Sequence, residues 1–441
     1  MNLQTWAAVS VIISALLLNR PQRLVMLVIL LWAIVPGVAG HQLTGMVIGT
    51  ATPIPPVHPV TVLAAVALLL QVVFRGPTAL SALSTKRGPI AAITLVVASA
   101  VGQTVYLGSP NGTALMLDQL AGGLFLYLLI VIASSTAPRL LLQAARLWVV
   151  LAASEGVLGL LVKSGALTQP FESDFQKTVW YSLGTGRQSG TFDHPLALAL
   201  FCAMAVPLLV FIRSSVIQLA LLAGITSGVV VSQSRTGLLL LVLGVLYLAI
   251  ASSQSIGRKF VIAVGTLAGG VYVAGTSLFA ETQGRFVQDS GSAAARGLAR
   301  AAFGRHWESF FVFGDGSGSS YRFAAGERLP SSLENGWLMY AVDYGLLTTL
   351  LLFLALIGPA LVSGKRNAPF TISLLIGAFS VASYSSIATD TIAGPALFVA
   401  AALAALAPRS SLGESEAGLL EAAADKSATA ARPRVSYPVA P

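Results

Sequence analysis

VVVSQSRTGLLLLV, residues 229–242, sets a single arginine, Arg235, between two apolar runs. In a soluble core an isolated guanidinium would be a liability, so the solvent in which the chain folds decides how the stretch is read. Hydrophobic residues make up 55% of the chain and charged residues only 10%, against roughly 25% charged in ordinary soluble domains. Apolar runs close to the ~20 residues that cross a bilayer recur from end to end. Among structures that can satisfy their backbone inside lipid, runs of this length admit only helices. The expected fold class is therefore all-α, a polytopic transmembrane helical bundle of about 12–13 spans with one long external loop containing short helices.

The candidate spans are 4–19, 24–39, 57–74, 89–108, 117–134, 140–163, 194–212, 216–231, 236–252, 260–280, 335–361, 369–386 and 391–407. The first does not read as a cleavable signal peptide: it lacks a basic start and a small-residue cleavage site, and Arg20 and Arg23 follow it. Alternate connections carry Arg20, Arg23, Arg75, Lys86, Arg87, Arg139, Arg213, Arg258, Lys259, Lys365 and Arg366, and no acidic residue. The positive-inside rule assigns those connections to the cytoplasm. The opposite set, 40–56, 109–116, 164–193 and 281–334, then lies outside the cell membrane, as does the N-terminus. His41, His58, His194 and His306 all fall on or near that outer side.

Three regions follow: N-terminal membrane helices over 1–163, a core over 164–407 with its two long external loops, and a cytoplasmic tail over 408–441. The tail is rich in Ala, Ser, Pro and charge and reads as disordered, with room for a short amphipathic helix at 414–425. The one cysteine, Cys202, lies in an apolar run, so no intramolecular disulfide forms. Although the pI is basic, the positive charges are scattered through short loops, which argues against a nucleic-acid partner.

Arg235 thus stands at an outer helix junction, against the sidedness of the other basic residues. An arginine at mid-bilayer costs roughly 2.5–3.5 kcal/mol on insertion scales, and such residues usually face a cavity or a partner. Arg187, in GTGRQSGTFDHPLALAL, ends an outer loop in a glycine-rich setting. Each guanidinium offers a planar fork of donors suited to phosphate oxygens, and a diphosphate would need two such cations. The plainer reading, in which both arginines reach for head groups or helix ends, stays open.

In the 281–334 loop six arginines meet six carboxylates. Its ARGLARAAFGRHWESFFVF stretch sets Phe303, Trp307, Phe310 and Phe311 at helical spacing on one face, which predicts a helix along the membrane surface. GDGSGSS breaks it, and with no Lys-Ser/Thr following it is not a P-loop. At the loop's close, SSLENGWLMY offers two readings of Glu334: a general base for an incoming hydroxyl, or half of an S-x-x-E capping box with Ser331. Glu172 and Asp174 form a weak acidic pair that reads as solvated charge, and Glu155 and Asp343 lie inside spans, lining a cavity or pairing with a neighbour such as Arg146. No His/Cys set has metal-site spacing.

Four features in one order resemble the O-antigen ligase and Wzy-type polymerase family of bacterial envelopes. They are R-x-x-G-x-x-x-H-P (Arg187, Gly190, His194, Pro195), S-x-S-R-T-G (Ser232 to Gly237), a long outer loop with Trp307 and G-D-G, and N-x-x-L at Asn335 and Leu338. The likeness covers roughly 180–360. It implies metal-independent, cofactor-free, inverting glycosyl transfer on the outer face, from an undecaprenyl-diphosphate-linked glycan donor to a hydroxyl on a glycan or lipid acceptor. The implied catalytic residues are Arg187, Arg235 and Glu334, with Arg187, Arg235, His194, Ser234, Arg305 and Asn335 binding substrate. Ligases of the family carry histidine where this chain has Glu334, and an acidic residue there is more like the polymerases, which join repeat units. The family's HPN is here His194-Pro195-Leu196. Two alternatives stand beside polymerisation: a ligase moving finished glycan to a lipid or protein, and, in a different class, a lipid-linked oligosaccharide flippase.

Overall fold

The computed structural model describes residues 3–39, 57–107, 116–176, 186–252, 254–275, 284, 290–330, 332–362, 367–383 and 393–406. The expected tail (408–441), His41, Ser331, Lys365 and Arg366 lie outside them, as do parts of the external loops. The described residues are helical, with no strand among them. In chain order the helices are α1 (Leu3–Leu16), α2 (Pro21–Ile34), α3 (Pro59–Phe74), α4 (Gly76–Ser84), α5 (Arg87–Tyr106), α6 (Leu117–Thr136), α7 (Leu140–Lys163), α8 (Pro195–Phe211), α9 (Ser215–Ser232) and α10 (Arg235–Ala251). They continue with α11 (Ile256–Ala274), α12 (Ser290–His306), α13 (Ser319–Gly326), α14 (Gly336–Tyr344), α15 (Leu346–Val362), α16 (Ala368–Val381) and α17 (Ala393–Leu406).

A helix lies in every segment whose hydropathy predicts a span. Four of them, α5, α6, α7 and α9, are long and apolar enough to cross a membrane, and α3 with α4 makes a fifth if that pair, bent by 106°, counts as one. The chain is thus an all-helical protein with the makings of a membrane protein. At the bundle's centre are α17, buried at every residue from Ala393 to Ala404, and α8, buried from Ala197 to Ala205. Helices apolar all round belong in such positions. By contrast α5 shows most of its surface, Leu95 and Tyr106 included.

Small residues bring α7 and α9 together. Gly224 and Gly228 of α9, a G-x-x-x-G pair, meet Gly156 of α7 so closely that a Cβ on Gly156 would fall 1.9 Å from the Gly224 carbonyl oxygen. Backbone-on-backbone contact of this kind is how helices associate where lipid removes the hydrophobic drive between them.

The two ends of the bundle are chemically sorted. At one end basic side chains donate to carbonyls at helix C-termini: Arg75 to Leu18 (3.3 Å), Lys86 to Ala405 (3.1 Å), Arg146 to Phe211 (3.1 Å) and Lys259 to Ile250 (2.8 Å). At the other, the half-buried Asp193 and the buried Asp118 accept from backbone amides and a hydroxyl. Asp193 takes Gly37 N–H (2.8 Å) and Val38 N–H (3.0 Å), and Asp118 takes His58 N–H (2.9 Å) and the Thr61 hydroxyl (2.7 Å). Both arrangements satisfy polar groups that the bundle hides from water.

Two sequence expectations are corrected. The predicted 335–361 span is two helices, broken at Gly345 (φ 95°). The segment 311–316 stitches the break: Asp315 and Gly316 N–H donate to the Val342 and Asp343 carbonyls (both 2.9 Å), and Leu347 N–H donates to the Phe311 carbonyl (3.0 Å). Open backbone at such a depth persists only where other protein covers it. The second correction concerns the aromatic face of the external loop. Phe303 and Phe310 stack on each other and, with Phe323, Met339 and Val342, build a small core between α12, α13 and α14, while Trp307 and Phe311 stay exposed. Hydropathy cannot distinguish burial in a satellite core from burial in lipid.

Candidate functional site

The site begins where α9 ends. Gln233 (φ 52°) turns the chain in the left-handed region, and Ser234 then caps α10, its hydroxyl accepting Gly237 N–H at 3.0 Å. Arg235 is therefore the first residue of α10, at a helix N-terminus. Against this junction lies the 186–193 segment, held by two bonds to the last turn of α9: Gln188 N–H to Val231 O (3.0 Å) and Arg187 Nε–H to Ser232 O (2.9 Å). Arg187 and Arg235, far apart in sequence, thus share one short junction.

The fold of that segment depends on a residue that the sequence left unplaced. Glu155 of α7 is buried and accepts Thr191 N–H (2.8 Å) and the Thr191 hydroxyl (2.9 Å). Gly190 (φ 61°) passes so close that a Cβ there would fall 2.5 Å from the Glu155 carboxylate, which is why glycine is needed at this position of the motif. Thr191 O–H also reaches the Ala33 carbonyl (2.8 Å), tying the segment to α2. Glu155 neither lines a cavity with its charge nor pairs with Arg146, whose Nε serves Phe211. His194 caps α8, its Nδ1 accepting Leu196 N–H at 3.1 Å.

A small open cleft of about 10 Å³, room for roughly one water, adjoins the junction, lined by Leu196, Ala199, Ser234, Thr236, Ser380 and Ser383 among others. Ser380 and Ser383 lie at the end of α16, and the same helix end accepts Trp337 Nε1–H through Ala378 O at 2.9 Å. Through Trp337 the start of α14 is fastened beside the cleft. There Asn335 is the helix cap, its side chain accepting Trp337 and Leu338 N–H (3.0 and 3.2 Å). The capping box is thereby corrected: the helix starts at Gly336, so Glu334 precedes the cap and is not its third-residue partner.

Glu334 has φ 51°, a left-handed conformation that a glutamate adopts at a cost on the order of 1–3 kcal/mol. Its half-buried carboxylate faces Arg296 Nε of α12 at 3.6 Å, an arginine that the sequence reading did not single out. Arg305 is held in a different cluster, an exposed clasp in which Arg305 and His306 (3.0 Å) both bind Glu327. The Arg305 hydrogen bond holds the Glu327 carboxyl below the usual carboxylate range. Asp343, the other in-span acid, accepts Ser320 N–H (2.7 Å) and the Ser319 hydroxyl (3.1 Å), anchoring the glycine-rich loop. Glu172 and Asp174 sit on a single helical turn, Glu172–Phe175, with Asp174 buried. Glu155, Asp193 and Asp343 were all visible as acids inside or beside apolar runs, the one available signal for anchors of this kind.

No family model, curated protein or solved structure matches the chain.

Proposed function

We propose that this protein transfers glycan from an undecaprenyl-diphosphate carrier to an acceptor hydroxyl on the outer face of the bacterial inner membrane, most simply by polymerising repeat units. On this reading the chain crosses the membrane about thirteen times. The arginine junction and external loops face outward, and the C-terminus lies in the cytoplasm. One observation carries the proposal: Arg187 is seated on the last turn of α9, beside the helix start that bears Arg235.

Two cations and the positive end of a helix dipole converge there, a combination that favours a doubly charged anion over any neutral ligand. In the reaction, Arg187 and Arg235 hold the diphosphate. Glu334 takes the proton of the acceptor hydroxyl, whose oxygen attacks the anomeric carbon. The bond from that carbon to the diphosphate oxygen breaks with its electron pair, and the configuration inverts. Arg296 acts through Glu334 as a positioning residue, and Ser234, His194 and Asn335 keep the helix starts around the cleft in place.

Arg187→Ala and Arg235→Ala should each lower polymer formation by about two to three orders of magnitude, the scale of losing a preorganised charge donor, with the protein still inserted and abundant. Normal chain lengths in both variants would end the proposal. Mass analysis of carrier-linked glycan in cells lacking the protein separates the related activities. Single repeat units point to a polymerase and long finished chains to a ligase, whereas flipping by purified protein in vesicles without bond formation would replace both with transport.

A further inference from the structure

The stitched segment leaves an apolar surface that the reaction does not use. Trp307 and Phe311 make an edge-to-face pair at 5.8 Å and are both exposed, and Val312 and Phe313 continue the exposed run, Phe313 at 66%. Directly after Phe313 the chain meets the end of α5: Gln103 donates to the Gly314 carbonyl, and Ser317 N–H donates to the Thr104 hydroxyl (3.3 Å). That end of α5 is itself bare, with Val105, Tyr106 (89%) and Leu107 exposed. The patch therefore continues the outward face of the most exposed helix among the four that are long enough to cross a membrane.

A cluster of large side chains of this kind on an external loop would expose more apolar surface than a water-facing loop normally keeps. Aromatic residues flanked by a span's end suit the head-group level of a bilayer, where amphipathic rings gather. Backbone bonds at the α14–α15 break fix the segment's depth, so it cannot lift away as a free loop would. We propose that Trp307, Phe311, Val312 and Phe313, with Val105, Tyr106 and Leu107, form an anchor inserted into the outer interface of the lipid bilayer. It would hold the loop bearing α12, and with it Arg296, against the membrane. The inference rests on the reading of α5 as a span and not on glycan transfer.

Cys202 is the sole cysteine and is buried, so single cysteines can be labelled in an otherwise native chain. Phe313→Cys, Tyr106→Cys and, as a control, Arg300→Cys on the exposed side of α12 would each carry an environment-sensitive fluorophore, with the full-length protein in phosphatidylethanolamine–phosphatidylglycerol vesicles. At positions 313 and 106, lipids bearing a quencher just below the head group should quench several-fold more than aqueous iodide, and at 300 the order should reverse. Iodide quenching at 313 equal to that at 300, with 106 lipid-quenched, would overturn the anchor. Iodide quenching at 106 as well would overturn the span reading beneath it. Should Phe313→Cys not fold, Phe311→Cys gives the same comparison.

Discussion

Gly156→Ala is the sharpest test of the architecture that supports the site. The added methyl would lie 1.9 Å from Gly224 O and 2.8 Å from Gly228 N, whereas ordinary contact begins at 3.4 Å, so α7 and α9 must part by about 1.5 Å. Overpacking generally costs about 1–3 kcal/mol. Here the obstruction is backbone, which cannot rotate aside, so a loss near 3 kcal/mol is expected, about two orders of magnitude in the folding equilibrium. The displacement also exceeds the slack in the neighbouring Glu155 bonds to Thr191 at 2.8 and 2.9 Å, so the 186–193 segment and Arg187 should lose their seat. Gly159→Ala on the same helix is the control, because its methyl would meet side chains and no backbone: Val231 Cγ2 at 3.0 Å, Leu198 Cδ2 at 3.6 Å and Gln188 Cβ at 3.7 Å. Thermal unfolding of the purified variants in one detergent, followed by tryptophan fluorescence, should show a large drop for Gly156→Ala and a small one for Gly159→Ala. Equal melting of both variants and the parent would refute the close helix contact and the coupling argued from it.

Three further outcomes follow from local geometry. Glu334→Gly relieves a left-handed glutamate and should leave the fold as stable or raise stability by about 1 kcal/mol, while abolishing turnover. A drop in thermal stability with activity retained would contradict the assignment. Arg235→Ala removes a cation from the start of α10 and should lose the thermal protection that inorganic pyrophosphate gives the parent. Unchanged protection would exclude Arg235 from the anion site. The Glu327 carboxyl, held down by Arg305, supports the loop at neutral pH, and that support is lost as pH falls below the ordinary carboxylate range and through the depressed value. Hydrogen exchange across α12–α13 should therefore rise on acidification, and Glu327→Gln should show the faster exchange already at neutral pH.

How far the sequence could be read follows from what hydropathy measures. Apolar length located the predicted bundle helices, and two arginines on the side opposite the other basic residues, Arg187 and Arg235, pointed to the junction, because an arginine amid leucine has few cheap explanations. The break at Gly345 was hidden inside a predominantly apolar stretch, 336–361, whose polar residues Asp343, Thr348 and Thr349 do not mark a break. What breaks it is a distant segment, 311–316, supplying the backbone partners. Phe303 and Phe310 were hidden for a related reason, since the core they enter exists only once three successive helices, α12, α13 and α14, fold against one another. Glu334 carried a capping pattern in S-x-x-E, but Asn335 is the stronger cap and took the helix start.

The sorting of charge between the two ends bears on whether the arginine pair is merely reaching for water or head groups. Arg75, Arg146, Lys86 and Lys259 all sit where a cation is expected, on carbonyls at or just beyond helix C-termini. Arg187 follows that rule at the end of α9. Arg235 breaks it, adding positive charge to a helix start that already has exposed amide hydrogens. On the proposed reading, a diphosphate bound at that start would meet the guanidinium and the positive end of the helix together.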